Sequence, residues 1–304
     1  MKNIAQELQS QLPDILLNEP LSKHCTFKIG GPADYFYELK NKDELLPLLQ
    51  LCHTLHIPTF IFGSGSNILF NDKGFRGLVI KISTKNIQIT ETHITADAGA
   101  MVSVLLEESL KANLTGLEPW IGLPGTVGAA VYGNAGCNGL EVKDCLIKAD
   151  ILNPLTGEIH EASPAYFHFS YRHSKLKEKH EIILSATFRV APRAISKEKQ
   201  DAMIMKIRKE RFAKQPSGVC TTGSFFKNPL PDQPAGLLIE QAGLKGKTIG
   251  DAQISLKHGN FFINKNKATA KDILALAALA KEEVYKNSGL TLVEEVQIVP
   301  EKPL

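Results

Sequence analysis

The sequence predicts an α+β fold of about two domains. Three observations carry that prediction. Short strand-like runs alternate with amphipathic helical stretches, without an internal repeat, as far as Phe188-Arg189-Val190. The pattern changes at Ala191-Pro192-Arg193, and residues 197–214 are polar, charged and helical in character, which marks a domain boundary. The chain has 304 residues and is 43% hydrophobic, enough to bury a sizeable core.

Taken in order, residues 1–20 read as a short amphipathic helix stopped near Pro13 and Pro20. Asp34-Tyr35-Phe36-Tyr37-Glu38-Leu39 reads as a strand. Leu45, Leu48, Leu49 and Leu55 give residues 42–56 a helical spacing, with Pro47 as an early interruption. Thr59-Phe60-Ile61-Phe62 reads as a buried strand that runs into a glycine loop. Leu78-Val79-Ile80-Lys81-Ile82 and the alternation of Ile87 and Ile89 give two more strands. Met101, Val102, Leu105, Leu106 and Leu110 place an amphipathic helix over residues 100–112. Beyond the boundary, Gly259-Asn260-Phe261-Phe262-Ile263 reads as a strand and Ala270 to Asn287 as a helix. Thr269 and Asp272 form a capping-box start for that helix, and Gly289 stops it. Val296-Gln297-Ile298-Val299 is a terminal strand.

Composition excludes several classes. A net charge of +3 makes no whole-molecule case for nucleic acid. Lys206, Arg208, Lys209, Arg211 and Lys214 cluster on one helical stretch, as a solvated face or as a pull on an anionic ligand. Cys25, Cys52, Cys137, Cys145 and Cys220 form no C-x-x-C pair, which fits a reducing compartment better than a disulfide framework. The histidines show no H-x-x-x-H or H-E-x-x-H spacing, so no metal site is expected. The N-terminus lacks the apolar core of a signal peptide, and no apolar run approaches the roughly 18 residues that span a bilayer. A cytoplasmic location without membrane contact is therefore expected.

Three segments carry chemistry. Gly63-Ser64-Gly65-Ser66-Asn67 follows a strand, and its glycines would let backbone N–H groups approach an anion closely. It matches neither G-x-G-x-x-G nor a Walker loop, so an ordinary tight turn remains open. The stretch from Gly116 to Gly139 is dense in glycine yet carries Trp120, Ile121, Val127 and Val131. That suits a backbone wrapped closely around a large planar ligand and its pyrophosphate better than a flexible linker. Gly223-Ser224-Phe225-Phe226-Lys227-Asn228-Pro229 places a hydroxyl, two aromatics, a cation and an amide between two backbone punctuators. Ser224 beside Lys227 is a candidate proton donor to carbon, or else a turn-capping hydroxyl.

These pieces resemble the UDP-N-acetylenolpyruvoylglucosamine reductase family. The resemblance runs through Thr26-Phe27-Lys28-Ile29-Gly30-Gly31-Pro32-Ala33-Asp34, the Gly63 loop, and Gly122-Leu123-Pro124-Gly125-Thr126-Val127-Gly128. It continues through Asn134-Ala135-Gly136, Phe169-Ser170-Tyr171-Arg172-His173-Ser174, the Gly223 segment and Glu295-Val296, in the family's order and over nearly the whole chain. Ala129 stands where the family usually has a second glycine, and Glu294 where proline commonly precedes the last glutamate. The stretch after Arg172 is short, as in the compact branch that lacks a tyrosine-bearing insertion.

The resemblance implies an FAD-binding domain of the vanillyl-alcohol-oxidase type over residues 1–195, in two subdomains splitting near residue 90. Residues 196–304 would bind a UDP-sugar, with the terminal segment returning to the flavin. It implies reduction of UDP-N-acetylglucosamine enolpyruvate to UDP-N-acetylmuramate for peptidoglycan synthesis. NADPH would be the reductant and FAD the hydride carrier. FAD would be held non-covalently, as no histidine lies in or just before the Gly63 loop.

The implied cofactor residues are Gly63, Ser64, Gly65, Ser66, Asn67, Gly122, Pro124, Gly125, Thr126, Gly128, Asn134 and Gly136. Arg172 would fork onto the substrate carboxylate, Ser224 would protonate carbon, and Glu295 would polarise the carboxylate or orient the arginine. Alignment on the following valine favours Glu295 over Glu294. Tyr171, Arg211, Lys227, Asn228 and His258 would contact substrate, although Tyr171 also fits a core and His258 a satisfied structural site. A monomer acting on small molecules alone is expected. An oxidase of the same superfamily and a non-catalytic binding module are the alternatives.

Overall fold

The computed structural model describes residues 4–179 and 181–302. The chain forms two compact units. One gathers the residues up to Phe36, Gly65–Val79 and those from Phe212 onward; the other gathers Tyr37–Ser64 and Ile80–Arg211. This differs from a single cut at residue 195, because strands far apart in sequence share the first unit.

The second unit is built on a five-stranded antiparallel sheet in the order Ile159–Ala162, Leu146–Leu152, Ile182–Arg189, His93–Asp97, Ile87–Ile89. The central strand is buried from Ile183 to Phe188 without alternation, as a strand covered on both faces must be. Its polar members are satisfied across the sheet. Thr187 bonds Thr95 at 2.8 Å, and Ser185 donates to Asp150 at 2.6 Å. The helix Val127–Gly133 packs on this strand. Trp120 meets Phe188 edge-on at 5.3 Å and donates its indole N–H to the Leu140 carbonyl at 3.1 Å. Each such fully buried ring contributes about 2 kcal/mol by removal from water.

The polar helix Lys197–Lys214 buries Gln200 and Ile204, with Ile207 packed against the core, and a buried carboxylate anchors it as well. Glu118 accepts from Thr115 at 2.6 Å, from the Gly116 N–H at 2.7 Å and from Gln200 at 2.7 Å. Burial alone would raise the Glu118 carboxyl, but these donors hold it below the usual carboxylate range.

In the first unit, the helix Ala270–Ser288 buries Ile273, Leu276, Ala277, Ala280 and Val284 along one face. Thr269 and Asp272 form the capping box, and Gly289 closes the helix at φ 71°. Asp72 adds a distant cap, accepting from the Ala270 and Lys271 N–H groups at 2.7 and 3.0 Å. The strand Gln297–Val299 pairs in parallel with Ile68–Phe70.

Two expectations are corrected. The N-terminal helix ends at Gln11, and Leu16–Pro20 is a strand antiparallel to the start of Pro32–Leu39. Pro13 breaks the helix, and the sheet takes up the residues beyond it. The strand expected from Gly259 is Phe262–Asn264, because the Phe261 N–H closes a turn onto the His258 carbonyl at 3.0 Å. Pro47 proves harmless: it falls in the first turn of Leu45–Thr54, where its missing N–H has no partner to lose.

Candidate active site

The two glycine segments meet. A Cβ on Gly63 would lie 2.2 Å from Thr126 Oγ1, so only glycine fits there. Thr126 is fixed in turn, since the Val127 and Gly128 N–H groups donate to the Ala100 and Ala98 carbonyls, both at 2.8 Å. Gly128 lies against Ala98, leaving a Cβ there 2.8 Å from the alanine methyl. Gly122 and Gly125 take φ of 77° and 108°, and Pro124 between them is exposed. Ser64 Oγ is buried without a hydrogen-bond partner.

The other half of the first loop is built into the first unit. Gly65, at φ 67°, leaves no room for a Cβ beside the His24 carbonyl, 2.6 Å away. The Gly65 carbonyl accepts from the Thr26 N–H at 3.1 Å. Asn67 donates its side-chain amide to the Glu295 carbonyl at 3.0 Å, and its own carbonyl accepts from the Gln297 N–H at 3.0 Å. Ser66 lies between these anchored residues. The loop and the terminal segment, 228 residues apart, are thus joined directly.

Ser224 owes its direction to a bulge. Cys220 pairs with Asn264 and Ser224 with Phe261, so four steps on one strand oppose three on the other. The extra residue lies in the stretch just before Ser224, where Gly223 takes φ 81°, and such a bulge re-aims the side chains beside it. Phe225 and Phe226 are buried against Phe262 and anchor the segment. Asn260, which sequence reasoning left without a role, staples it. Asn260 Oδ1 accepts from the Phe226 N–H at 2.9 Å, and Nδ2 donates to the Phe226 carbonyl at 2.8 Å. The Glu295 N–H donates to the Phe225 carbonyl at 2.8 Å, so Glu295 lies beside the serine segment. Glu294 is engaged elsewhere, its carboxylate 2.5 Å from Lys281.

Ser224, Asn228 and His258 line one cleft of about 480 Å³, together with Lys214, Lys257 and Glu240. Asn228 Oδ1 accepts from the Ala235 N–H at 3.1 Å. Lys227 is set by its N–H on the Val293 carbonyl at 2.8 Å. Burial holds His258 below the usual imidazole range, and the Lys245 charge adds to it. Its Nδ1 accepts from the Asn260 N–H at 3.2 Å, so the neutral ring carries its hydrogen on Nε2 as a donor. Thr222 Oγ1, two residues before Ser224, is buried without a partner.

In the second unit, Tyr171 and Arg172 are the central residues of a tight turn closed by two Ser170–His173 bonds of 3.1 Å. Arg172 has φ 56°, a left-handed value costly for a long side chain. Its Nη2 donates to the Gly136 carbonyl at 3.1 Å, and its guanidinium lies 5.3 Å from the Tyr171 ring centroid. Arg211, expected on substrate, lies against Gly122 and donates to Cys137 Sγ at 3.1 Å. Nothing in the spacing of Cys137 marked it as a partner. Among the described residues no His, Cys, Asp and Glu cluster could hold a metal, and no helix is long and apolar enough to cross a membrane.

Residues 33–163 match a family of FAD binding domains, and residues 215–299 match the C-terminal domain of UDP-N-acetylenolpyruvoylglucosamine reductase. A curated UDP-N-acetylenolpyruvoylglucosamine reductase of Agathobacter rectalis is 40% identical, with 99% of each chain covered. One from Chlamydia muridarum is 41% identical over 93% of this chain and 94% of its own. The crystal structure of a UDP-N-acetylenolpyruvylglucosamine reductase from Thermus caldophilus superposes with a TM-score of 0.79 and 32% identity, covering 94% of this chain and 98% of that one.

Proposed function

Because the chain belongs to the UDP-N-acetylenolpyruvoylglucosamine reductase family, we propose that Ser224, Arg172 and Glu295 carry the chemistry of that family here. The protein is an FAD-dependent oxidoreductase that uses NADPH to reduce UDP-N-acetylglucosamine enolpyruvate to UDP-N-acetylmuramate. Its fold is α+β, an FAD-binding domain followed by the family's C-terminal domain.

The residues fit the dinucleotide. Ser64 offers a buried, unpartnered hydroxyl, and Gly63, Gly65 and Gly128 keep the backbone free of side chains. We assign Gly63 to Asn67, Gly122, Pro124, Gly125, Thr126, Gly128 and Gly136 to its binding. Gly63→Ala is expected to lower flavin occupancy sharply, because the new methyl would lie 2.2 Å from Thr126 Oγ1. The ratio of flavin to protein absorbance in the purified variant checks this.

Held by these residues, FAD would supply hydride-transfer chemistry between NADPH and the enolpyruvyl double bond. The protein's own residues do the rest. Negative charge develops on the neighbouring carbon and its carboxylate, and the Arg172 guanidinium forks onto that carboxylate. Glu295 supplies a carboxyl group to the same acid. Ser224 gives its proton to the carbon that bears the ether oxygen, which completes the lactyl ether. Lys227 steadies the serine oxygen while solvent returns the proton. Asn228 and His258 hold the nucleotide-sugar, His258 as an Nε2–H donor, and Tyr171 is assigned to the same substrate.

One observation carries this reading: past the bulge, Ser224 lines the cleft of Asn228 and His258 while the Phe225 carbonyl beside it accepts from the Glu295 N–H. We divide the roles as FAD binding by residues 1–195 and substrate binding by 196–304. The same reading makes the enzyme a cytoplasmic monomer that binds no nucleic acid, and five free cysteines support a reducing compartment. The test is anaerobic and stepwise. The purified protein is yellow, NADPH bleaches it, and the enolpyruvyl substrate restores the colour without oxygen. Recolouring by oxygen alone would instead mark an oxidase.

A further inference from the structure

The turn that carries Arg172 is held at both ends by the helix Val127–Gly133. Asn134 caps that helix in a left-handed conformation, φ 44°. Its Nδ2 donates to the Ser170 carbonyl at 2.9 Å and to Glu141 Oε2 at 3.1 Å, while its Oδ1 accepts from the Lys143 N–H at 3.1 Å. On the far side of the turn, Ser174 donates to the Tyr132 carbonyl at 2.7 Å. Asn134 is 0% exposed, so its amide is spent inside the protein and does not face a ligand. This departs from the expectation that Asn134 touches the cofactor.

Glu141 works from the other direction. Its Cγ lies 2.7 Å from where a Cβ on Gly136 would sit, and Glu141 pairs with Gly136 across a short antiparallel ladder. The Gly136 carbonyl receives Arg172 Nη2 at 3.1 Å. Lys143 holds the Glu141 carboxylate at 2.8 Å. One residue therefore fixes the backbone of the arginine turn, and the other fixes the carbonyl that sets the height of the guanidinium.

We propose that Asn134 and Glu141 are positioning residues for Arg172, required for substrate reduction and not for flavin binding or reduction by NADPH. The inference rests on the reading of Arg172 as the carboxylate-binding group. A left-handed arginine persists only where its surroundings over-determine it. A shift of the fork by a fraction of its bond length to a carboxylate is enough to lose rate.

Asn134→Gly tests this, since glycine keeps the left-handed cap and removes only the amide. Flavin content and bleaching by NADPH stay as in the parent. Reoxidation by the enolpyruvyl substrate slows by about 10- to 100-fold. Hydrogen exchange quickens over residues 168–175 and not in the central strand Ile182–Arg189. In an Arg172→Lys background the second substitution adds nothing, because it acts through the arginine. Loss of flavin in Asn134→Gly, a parent-like reoxidation rate, or an equal loss in both backgrounds overturns the proposal. A parent-like rate in Arg172→Lys alone overturns the reading of Arg172 instead. Should Asn134→Gly fail to fold, the isosteric Asn134→Asp puts an acceptor against Ser170 and Glu141, and an unchanged reoxidation rate in it is equally fatal.

Discussion

Replacing Ser224 with alanine is expected to leave flavin reduction by NADPH intact and to slow turnover of the enolpyruvyl substrate by a few decades, each tenfold corresponding to about 1.4 kcal/mol of lost transition-state stabilisation. The fold gives no reason for a wider effect. The segment is held by Asn260 on the Phe226 backbone, by Phe225 and Phe226 in the core, and by the Glu295 N–H, none of which uses the serine hydroxyl. Affinity for the nucleotide-sugar should therefore change little, because Asn228, His258 and the cleft lysines remain. Anaerobic stopped-flow separates the outcomes. The serine variant should bleach at the parent rate and then stay bleached when substrate is added. Recolouring at the parent rate would remove the proton-donor role from Ser224 and direct attention to the unpartnered hydroxyl of Thr222.

What the sequence made legible was local. The helix Ala270–Ser288 announces itself because Thr269, Asp272 and Gly289 settle its ends within a few residues of each other. The Lys197–Lys214 helix was equally plain from its run of charge. The glycine loops could be recognised as backbone features, since a positive φ at Gly65 or Gly122 needs no distant partner to be suspected. Pairing over distance stayed hidden. No spacing rule shows that Gly63 abuts Thr126, or that Asn67 bonds the Glu295 carbonyl.

The bulge before Ser224 is invisible for the same reason, because an extra residue exists only relative to the strand opposite it. Side-chain direction was the other blind spot. Asn134 has the composition of a ligand-binding residue, yet its amide points into the protein. Arg211 belongs to a basic cluster, but it spends a donor on Cys137. The choice between Glu294 and Glu295 gains a physical basis from Lys281, which occupies the first of the two.

Arg172→Lys is expected to be nearly as severe as the serine change, although it preserves the charge. Lysine keeps one positive charge but presents a single ammonium, which cannot make the paired, coplanar contact of a guanidinium with a carboxylate. It also surrenders the bond to the Gly136 carbonyl and the stack on Tyr171. Turnover should fall by about two to three decades while bleaching by NADPH is preserved, as for loss of one preorganised donor at a developing anion. Arg172→Gly should be worse still in turnover, yet the opposite in stability. At φ 56° the arginine backbone is strained by roughly 1 kcal/mol, and glycine adopts that conformation without penalty. Its melting temperature should equal or exceed that of the parent even as substrate reduction disappears. A glycine variant that melted well below the parent would show that the turn is held up by its arginine. The strain would then belong to the fold, not to the site.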